Sequence, residues 1–100
     1  MSSLLSPLEL SPPYIYEGTT SSTAGTPTPI PIKGNVFELL VWNRSADYDL
    51  YVSLDLGSTW VRVPADSMAT FFLGSFPDPL ILVKSDGASQ PFLIIYRLRL

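Results

Sequence analysis

The sequence contains no cysteine and no histidine among its 100 residues. Without cysteine, the chain has neither a disulfide framework nor a thiolate metal site. Without histidine, it lacks the commonest general base, the commonest metal ligand and the usual partner of a catalytic serine. We therefore expect a protein that is not an enzyme and that uses no cofactor and no metal.

Charge is also scarce. Charged residues make up 15% of the chain, and the net charge is −3, whereas a typical globular domain has about 25% charged residues. The six cationic residues do not form the basic patch that phosphate backbones require, so nucleic acid is not an expected partner. A folded surface with so few charges exposes uncharged or apolar area, which is typical of a surface that binds another protein.

Long apolar runs are absent too. No segment approaches the roughly twenty apolar residues that a membrane-spanning helix needs. The first ten residues, MSSLLSPLEL, have no positively charged start and no uninterrupted apolar stretch, so they do not resemble a secretory signal. We expect no membrane partner and synthesis in the cytoplasm.

Proline, in contrast, is abundant at the start of the chain. Residues 1–32 hold six prolines around a Ser/Thr-rich centre, a composition that favours neither a helix nor a central strand. The segment also has many apolar side chains, which a disordered tail usually lacks. We predict an extended arm over residues 1–32 that lies along its own domain or across a neighbouring subunit. Its predicted partner-binding anchors are Leu4, Leu5, Leu8, Leu10, Tyr14, Ile15 and Tyr16.

From residue 33 onward, short β-rich runs alternate with turn residues, a pattern typical of a sandwich or barrel. Six strands are predicted, over residues 36–43, 50–55, 59–63, 68–73, 80–85 and 92–100. Short connections favour antiparallel neighbours, and no stretch has a capped helical period. The predicted fold class is therefore all-β, a small antiparallel β-sandwich or barrel of about six strands over residues 33–100.

The last predicted strand, residues 92–100, runs to the final residue of the sequence. A strand at a sheet edge presents unpaired backbone N–H and C=O groups that attract another strand. Two outcomes are open: this edge pairs with another chain, or the arm covers it.

Three aromatic residues on or beside predicted neighbouring strands are candidate contacts on the face of the sandwich: Trp42, Tyr51 and Trp60. Such side chains anchor protein interfaces, and they also form platforms on which sugars stack. Simple packing within the domain is the third interpretation. The sequence does not separate the three.

The acidic residues give only weak evidence for a metal site or a catalytic site. Asp47, Asp49 and Asp55 lack the spacing of an EF-hand calcium loop, and the first two are typical of residues that cap a turn. Glu38 stands alone in an apolar strand, with no partner acid or histidine. None of these residues predicts catalysis.

Five segments, in this order, resemble small β-sandwich virion proteins of tailed bacteriophages. These proteins include capsid cement or decoration proteins and related head or tail accessory subunits. The resemblance covers residues 36 to 96 and is one of pattern. The segments that carry it are Asn43-Arg44-Ser45, Asp49-Leu50-Tyr51-Val52-Ser53, Gly57-Ser58-Thr59-Trp60, Val63-Pro64-Ala65 and Leu82-Val83-Lys84-Ser85.

The resemblance implies a non-enzymatic role in the virion. A compact sandwich would sit on the capsid exterior at a junction between major-capsid subunits, often as a trimer, and the arm would tie it to the capsid or to a neighbouring copy. The implied partners are the major capsid protein or other virion proteins and further copies of the chain itself. Two alternatives remain open: a tail, collar or baseplate accessory subunit, and a carbohydrate-binding β-sandwich module.

Overall fold

The computed structural model describes residues 9–100, which form two four-stranded antiparallel sheets. Sheet 1 has the strand order β1-β8-β3-β6, and sheet 2 has the order β2-β7-β4-β5. No part of this range is a helix of the length and apolarity that crossing a membrane takes. The strands are β1 (Tyr14–Thr19), β2 (Thr28–Ile30), β3 (Asn35–Asn43), β4 (Leu50–Ser53), β5 (Val61–Val63), β6 (Met68–Pro77), β7 (Ile81–Ser85) and β8 (Pro91–Leu98).

The all-β class and the two antiparallel sheets confirm the predicted fold class, and the six strands predicted within residues 33–100 are present. The six predicted strands correspond to β3 through β8, and the structure adds β1 and β2 before them. Both additional strands lie at sheet edges. Proline is tolerated there, as Pro29 is in β2, because an edge strand can do without one backbone donor on its solvent side.

The described part of the N-terminal segment is built into both sheets. β1 pairs with β8, Leu10 bridges Arg99 beyond it, and Ile30 and Ile32 are buried in the core. The edge of the final strand is thus covered by the chain's own N-terminal segment. An extended arm over residues 1–32 is not confirmed. The predicted anchors that lie outside the described residues are Leu4, Leu5 and Leu8.

The core lies between the two sheets, because alternate residues of each strand point inward. Between Val36 and Glu38, the register of β3 shifts by one residue against β8 and by two against β6. Val36 and Leu39, on either side of this bulge, both face the core. Each fully buried apolar side chain contributes about 1.5–3 kcal/mol of transfer free energy. The apolar side chains with at most 1% exposure are Val36, Leu39, Val41, Leu50, Val52, Val63, Ile81, Val83, Phe92 and Ile94.

Asn43, the last residue of β3, links the two sheets through its buried amide. Its Nδ2 donates to the carbonyl oxygens of Tyr48 at 2.8 Å and Val63 at 3.0 Å. Its Oδ1 accepts from the backbone N–H of Ser45 at 3.0 Å. Because Val63 belongs to β5 of sheet 2, one side chain ties the end of sheet 1 to the opposite sheet.

Ser11 fixes the entry of the chain into sheet 1. Its backbone N–H donates to the carbonyl oxygen of Leu98 at 2.8 Å. Its hydroxyl oxygen accepts from the Leu98 N–H at 2.8 Å and donates to the carbonyl oxygen of Pro12. Ser11 is 3% exposed, so water cannot replace the hydroxyl without a rearrangement.

Ser11→Ala is expected to lower the free energy of unfolding by about 1–3 kcal/mol, because it leaves the Leu98 N–H without its acceptor. The measurement is urea denaturation followed by tryptophan fluorescence. The control, Ser58→Ala, changes an exposed serine and should stay within about 0.5 kcal/mol of the parent. Equal effects of the two substitutions would contradict this role of Ser11.

Candidate functional site

The outer face of sheet 1 is apolar. Residues opposite each other in an antiparallel pair share a face, so the strand register identifies the rows that cross this sheet. One row runs from Ile15 through Ile95 and Leu40, and the next contains Leu93, Trp42 and Met68. We call the following set the apolar face: Ile15, Leu40, Trp42, Met68, Phe72, Leu93 and Ile95.

The apolar face is open to solvent. Ile15 is 65% exposed, Met68 63% and Phe72 72%, while the other four members are half-buried among their neighbours. Phe37, at the bulge, packs edge-on against Phe72 with ring centroids 4.7 Å apart. A shallow groove of about 420 Å³ crosses the middle of the face, with Leu40 and Ile95 in its lining.

The charges on this face occur in pairs of opposite sign. Arg97 Nε lies 3.7 Å from Glu38 Oε1, and Arg44 Nη1 lies 3.7 Å from Glu17 Oε1. The guanidinium of Arg44 also lies over Trp42, 5.2 Å from the ring centroid. Exposed pairs of this kind add little stability, and each pair carries no net charge.

The outer face of sheet 2 is polar and charged. Arg62 Nε donates to Asp49 Oδ2 at 2.6 Å, and the hydroxyl of Tyr51 donates to Asp86 Oδ2 at 3.2 Å. The ammonium of Lys84 lies between two rings, 4.3 Å from the centroid of Trp60 and 5.9 Å from that of Tyr51. Such cation–π contacts cover the aromatic surface with a hydrated charge. The two outer faces therefore differ in chemistry.

Two groups on the second face titrate away from their ordinary values. Partial burial of the ring and the neighbouring Asp86 carboxylate raise the pKa of the Tyr51 hydroxyl. The hydrogen bond and the charge of Asp49 raise the pKa of Arg62. Both shifts follow from contacts within the face, so they indicate a stable surface network and not a reactive group.

The turn before Trp60 is held by Asp55. Its Oδ1 accepts from the Thr59 N–H and from the Ser53 hydroxyl, both at 2.8 Å. These hydrogen bonds lower the pKa of the Asp55 carboxyl, with the Thr59 N–H as the largest cause. Across residues 9–100, no three acidic side chains gather where they could hold a metal ion.

The three predicted sandwich-face residues do not form one cluster. Trp42 belongs to the apolar face of sheet 1, whereas Tyr51 and Trp60 meet on the outer face of sheet 2. The expectation that they lie on or beside neighbouring strands is confirmed for Tyr51 in β4 and Trp60 beside β5, which pair. It is wrong for Trp42, because β3 belongs to the other sheet.

The predicted arm anchors that the structure describes have separate environments. Tyr14 stacks on Tyr96 with centroids 5.4 Å apart, and Tyr16 packs against the core beside Phe92. Ile15 points the other way and joins the apolar face. Leu10 is half-buried. Whether any of them binds a partner stays a prediction.

Most of the apolar face was not among the predicted contacts. The missed members are Leu40, Met68, Phe72, Leu93 and Ile95. A signal for them does exist in the sequence, because β3 and β8 carry apolar residues at both odd and even positions. A strand of this kind is apolar on two faces, and in a two-layer sandwich only one of them is covered.

Comparisons with known proteins give a weak likeness of fold. No protein-family model matches the sequence, and no curated protein matches it. Among solved structures, the chain is similar to one described as "Crystal Structure of FLHE", with 11% sequence identity, a TM-score of 0.46, and coverage of 90% of this chain and 100% of the other. At this identity and TM-score, no conclusion about function follows.

Asp86→Asn is expected to lower the pKa of Tyr51, because it removes the negative charge that disfavours the phenolate. The measurement is an NMR titration of ring-labelled tyrosines, with Tyr51→Phe to assign the signal. Asp47→Asn, an exposed carboxylate with no part in the Tyr51 shift, is the matched control. An unchanged Tyr51 titration in Asp86→Asn would refute the contact.

Proposed function

We propose that this chain is a non-enzymatic structural subunit of a virion, a capsid cement or decoration protein that binds at junctions between major-capsid subunits and stabilises the head. The observation that carries the proposal is the apolar face of sheet 1. Contiguous apolar surface on a folded domain marks a site of protein interaction. Here three of its seven members are more than 60% exposed.

The chemistry of the apolar face fits a protein partner. Four of its charges form the pairs Glu38 with Arg97 and Glu17 with Arg44, so it lacks the basic patch that an anionic polymer requires. Aromatic and aliphatic side chains at the centre, with polar groups around them, correspond to the anatomy of protein interfaces. Trp42 is the tryptophan of this set, and tryptophan is among the residue types that most often anchor such interfaces.

Binding across a joint stabilises an assembly by mass action. A subunit that binds only the assembled arrangement adds about 2.7 kcal/mol per site when its concentration is a hundred times the dissociation constant. A head has many identical joints, so modest affinity at each one adds up over the lattice. No catalytic group is needed for this role.

The carbohydrate alternative receives less support from the geometry. Lys84 lies over the ring of Trp60 at 4.3 Å, so a sugar that stacked there would have to displace a cation from the ring. Trp42 lies on the opposite outer face and does not extend the surface formed by Tyr51 and Trp60. A platform of several coplanar rings, the usual basis of sugar stacking, is not what these three residues make.

The test is binding of the purified full-length chain to heads assembled from the major capsid protein, with isolated tails in parallel. We expect many copies per head and a higher melting temperature of the heads. Ile15→Lys should weaken head binding at least tenfold, because binding would then have to desolvate the lysine charge within the interface. Leu80→Lys is the matched control, since Leu80 is 60% exposed but lies outside the apolar face.

Four outcomes would contradict the proposal in distinct ways. Absence of head binding excludes the cement role, and binding of few copies to tails favours the accessory alternative. Binding of glycans by the chain, lost in Trp60→Ala, favours the carbohydrate module. Equal head binding by Ile15→Lys and Leu80→Lys would remove the apolar face from the interface.

A further inference from the structure

The free edge of β6 differs from the other sheet edges. β6 is ten residues long and contains no charged residue. It pairs with β3 on one side, and no strand of residues 9–100 pairs with it on the other. A long uncharged edge presents a row of unpaired backbone donors and acceptors to any strand that approaches it.

The three other edges carry the features that prevent strand pairing. β2 has three residues, one of which is Pro29, and β5 has three residues around Arg62. β1 follows two prolines and carries Glu17 near its centre. Short length, proline and charge are the usual protections of sheet edges. Of the edges in the described part of the chain, β6 alone lacks all three before Pro77, its last residue. Its regular stretch is residues 68–72, because its pairing with β3 is interrupted between Phe72 and Phe76.

An apolar groove runs beside this edge. It has a volume of about 260 Å³ and opens between β6 and sheet 2, with Phe71, Val61, Val52 and Leu54 in its lining. Val61 is 41% exposed in it. A strand added to β6 would direct alternate side chains into this groove and onto the apolar face. The edge therefore offers backbone hydrogen bonds and side-chain contacts together.

We propose that β6 pairs antiparallel with β6 of a second copy of this chain, so that the two copies of sheet 1 form one continuous sheet across a two-fold axis. Charge favours this occupant. Self-pairing of β6 places no like charges opposite each other, whereas self-pairing of β1 would bring two copies of Glu17 together, which is destabilising. A two-fold contact is self-complementary and closes after two subunits.

The exposed side chains of β6 provide part of the area that a dimer needs. Met68, Phe72 and Phe76 are 63%, 72% and 40% exposed, which corresponds to on the order of 350 Å² of side-chain surface per copy. A standard interface buries about 800 Å² per partner. Backbone pairing and the groove add to the side-chain area, so we expect a reversible dimer of moderate affinity.

This dimer does not rest on the proposed virion function, but it shares Met68 and Phe72 with the apolar face and would alter how that function is carried out. The two-fold axis is perpendicular to the continuous sheet, so the apolar faces of the two copies lie on the same side of that sheet. One dimer then presents two binding surfaces at a fixed spacing. The trimer that the resemblance implies would instead require β6 to pair with a different edge of the neighbour.

The first test is analytical ultracentrifugation of the full-length chain at concentrations rising to the millimolar range. We expect a monomer–dimer equilibrium. Phe72→Lys should weaken the dimer at least tenfold by placing like charges near the axis, while Ile15→Lys should not change it. Ile15 is a matched control because it lies on the same outer face, is similarly exposed and belongs to the opposite edge strand.

A monomer at all concentrations, a trimer, or equal weakening by both substitutions would overturn the proposal. These results are separate from head binding, because Ile15→Lys is expected to impair attachment to heads and to leave the dimer intact. A dimer that does not bind heads would contradict the proposed function and leave the β6 dimer standing. A monomer that binds heads would contradict the β6 dimer and leave the proposed function standing.

The second test is disulfide cross-linking, for which the chain is suited because it contains no cysteine. In two-fold antiparallel pairing, one residue lies directly opposite its own copy, at a Cα separation that a disulfide can bridge, about 4.4–6.8 Å. Single cysteines at each position from 68 to 73 should therefore give a cross-linked dimer at the axis position, and Ile15→Cys should give none. A dimeric chain that cross-links at none of the six positions would exclude pairing through this part of β6.

Discussion

A sheet has two faces, and a two-layer sandwich can bury only one face of each sheet. The rest of this structure depends on that constraint. Sheet 2 meets it in the usual way, with buried residues such as Val52 and Val83 inside and Tyr51, Arg62 and Lys84 outside. Sheet 1 does not, because Leu40, Trp42 and Ile95 are apolar and point away from the core. The apolar face follows from an excess of apolar residues over the number that one core can take.

The N-terminal segment completes sheet 1 without covering that excess. β1 adds a strand at the edge of β8, and the Ser11 hydrogen bonds to Leu98 hold it there. Adding a strand beside the sheet closes one edge and widens the outer face, since Ile15 extends the row of Ile95 and Leu40. The same arrangement leaves β6 as the long edge at the other side. Edge and face therefore occur on one sheet, and both are surfaces that another chain can bury.

The sequence predicts the strands better than it predicts their arrangement. β3 to β8 follow from alternating apolar residues and from turns such as Asp86-Gly87, which are local signals. The sequence does not predict β1 and β2, because their stability comes from pairing with β8 and β7, which are distant in the chain, and because the prolines and Ser/Thr residues around them argue against strands. The separation of Trp42 from Tyr51 is likewise non-local, since it depends on which sheet each strand joins. The candidate face was visible only in part, as apolar residues on both faces of β3.

The apolar face and the β6 edge offer contacts of different physical kinds. The face offers apolar surface beside two ion pairs, so its main contribution is desolvation, which is not directional. The edge contributes backbone hydrogen bonds, which are directional and fix register. Where two faces are held at a fixed spacing by paired edges, the second contact with a lattice becomes intramolecular, and weak binding at each face becomes strong attachment of the pair. The proposed role requires surface area and geometry and no reactive group.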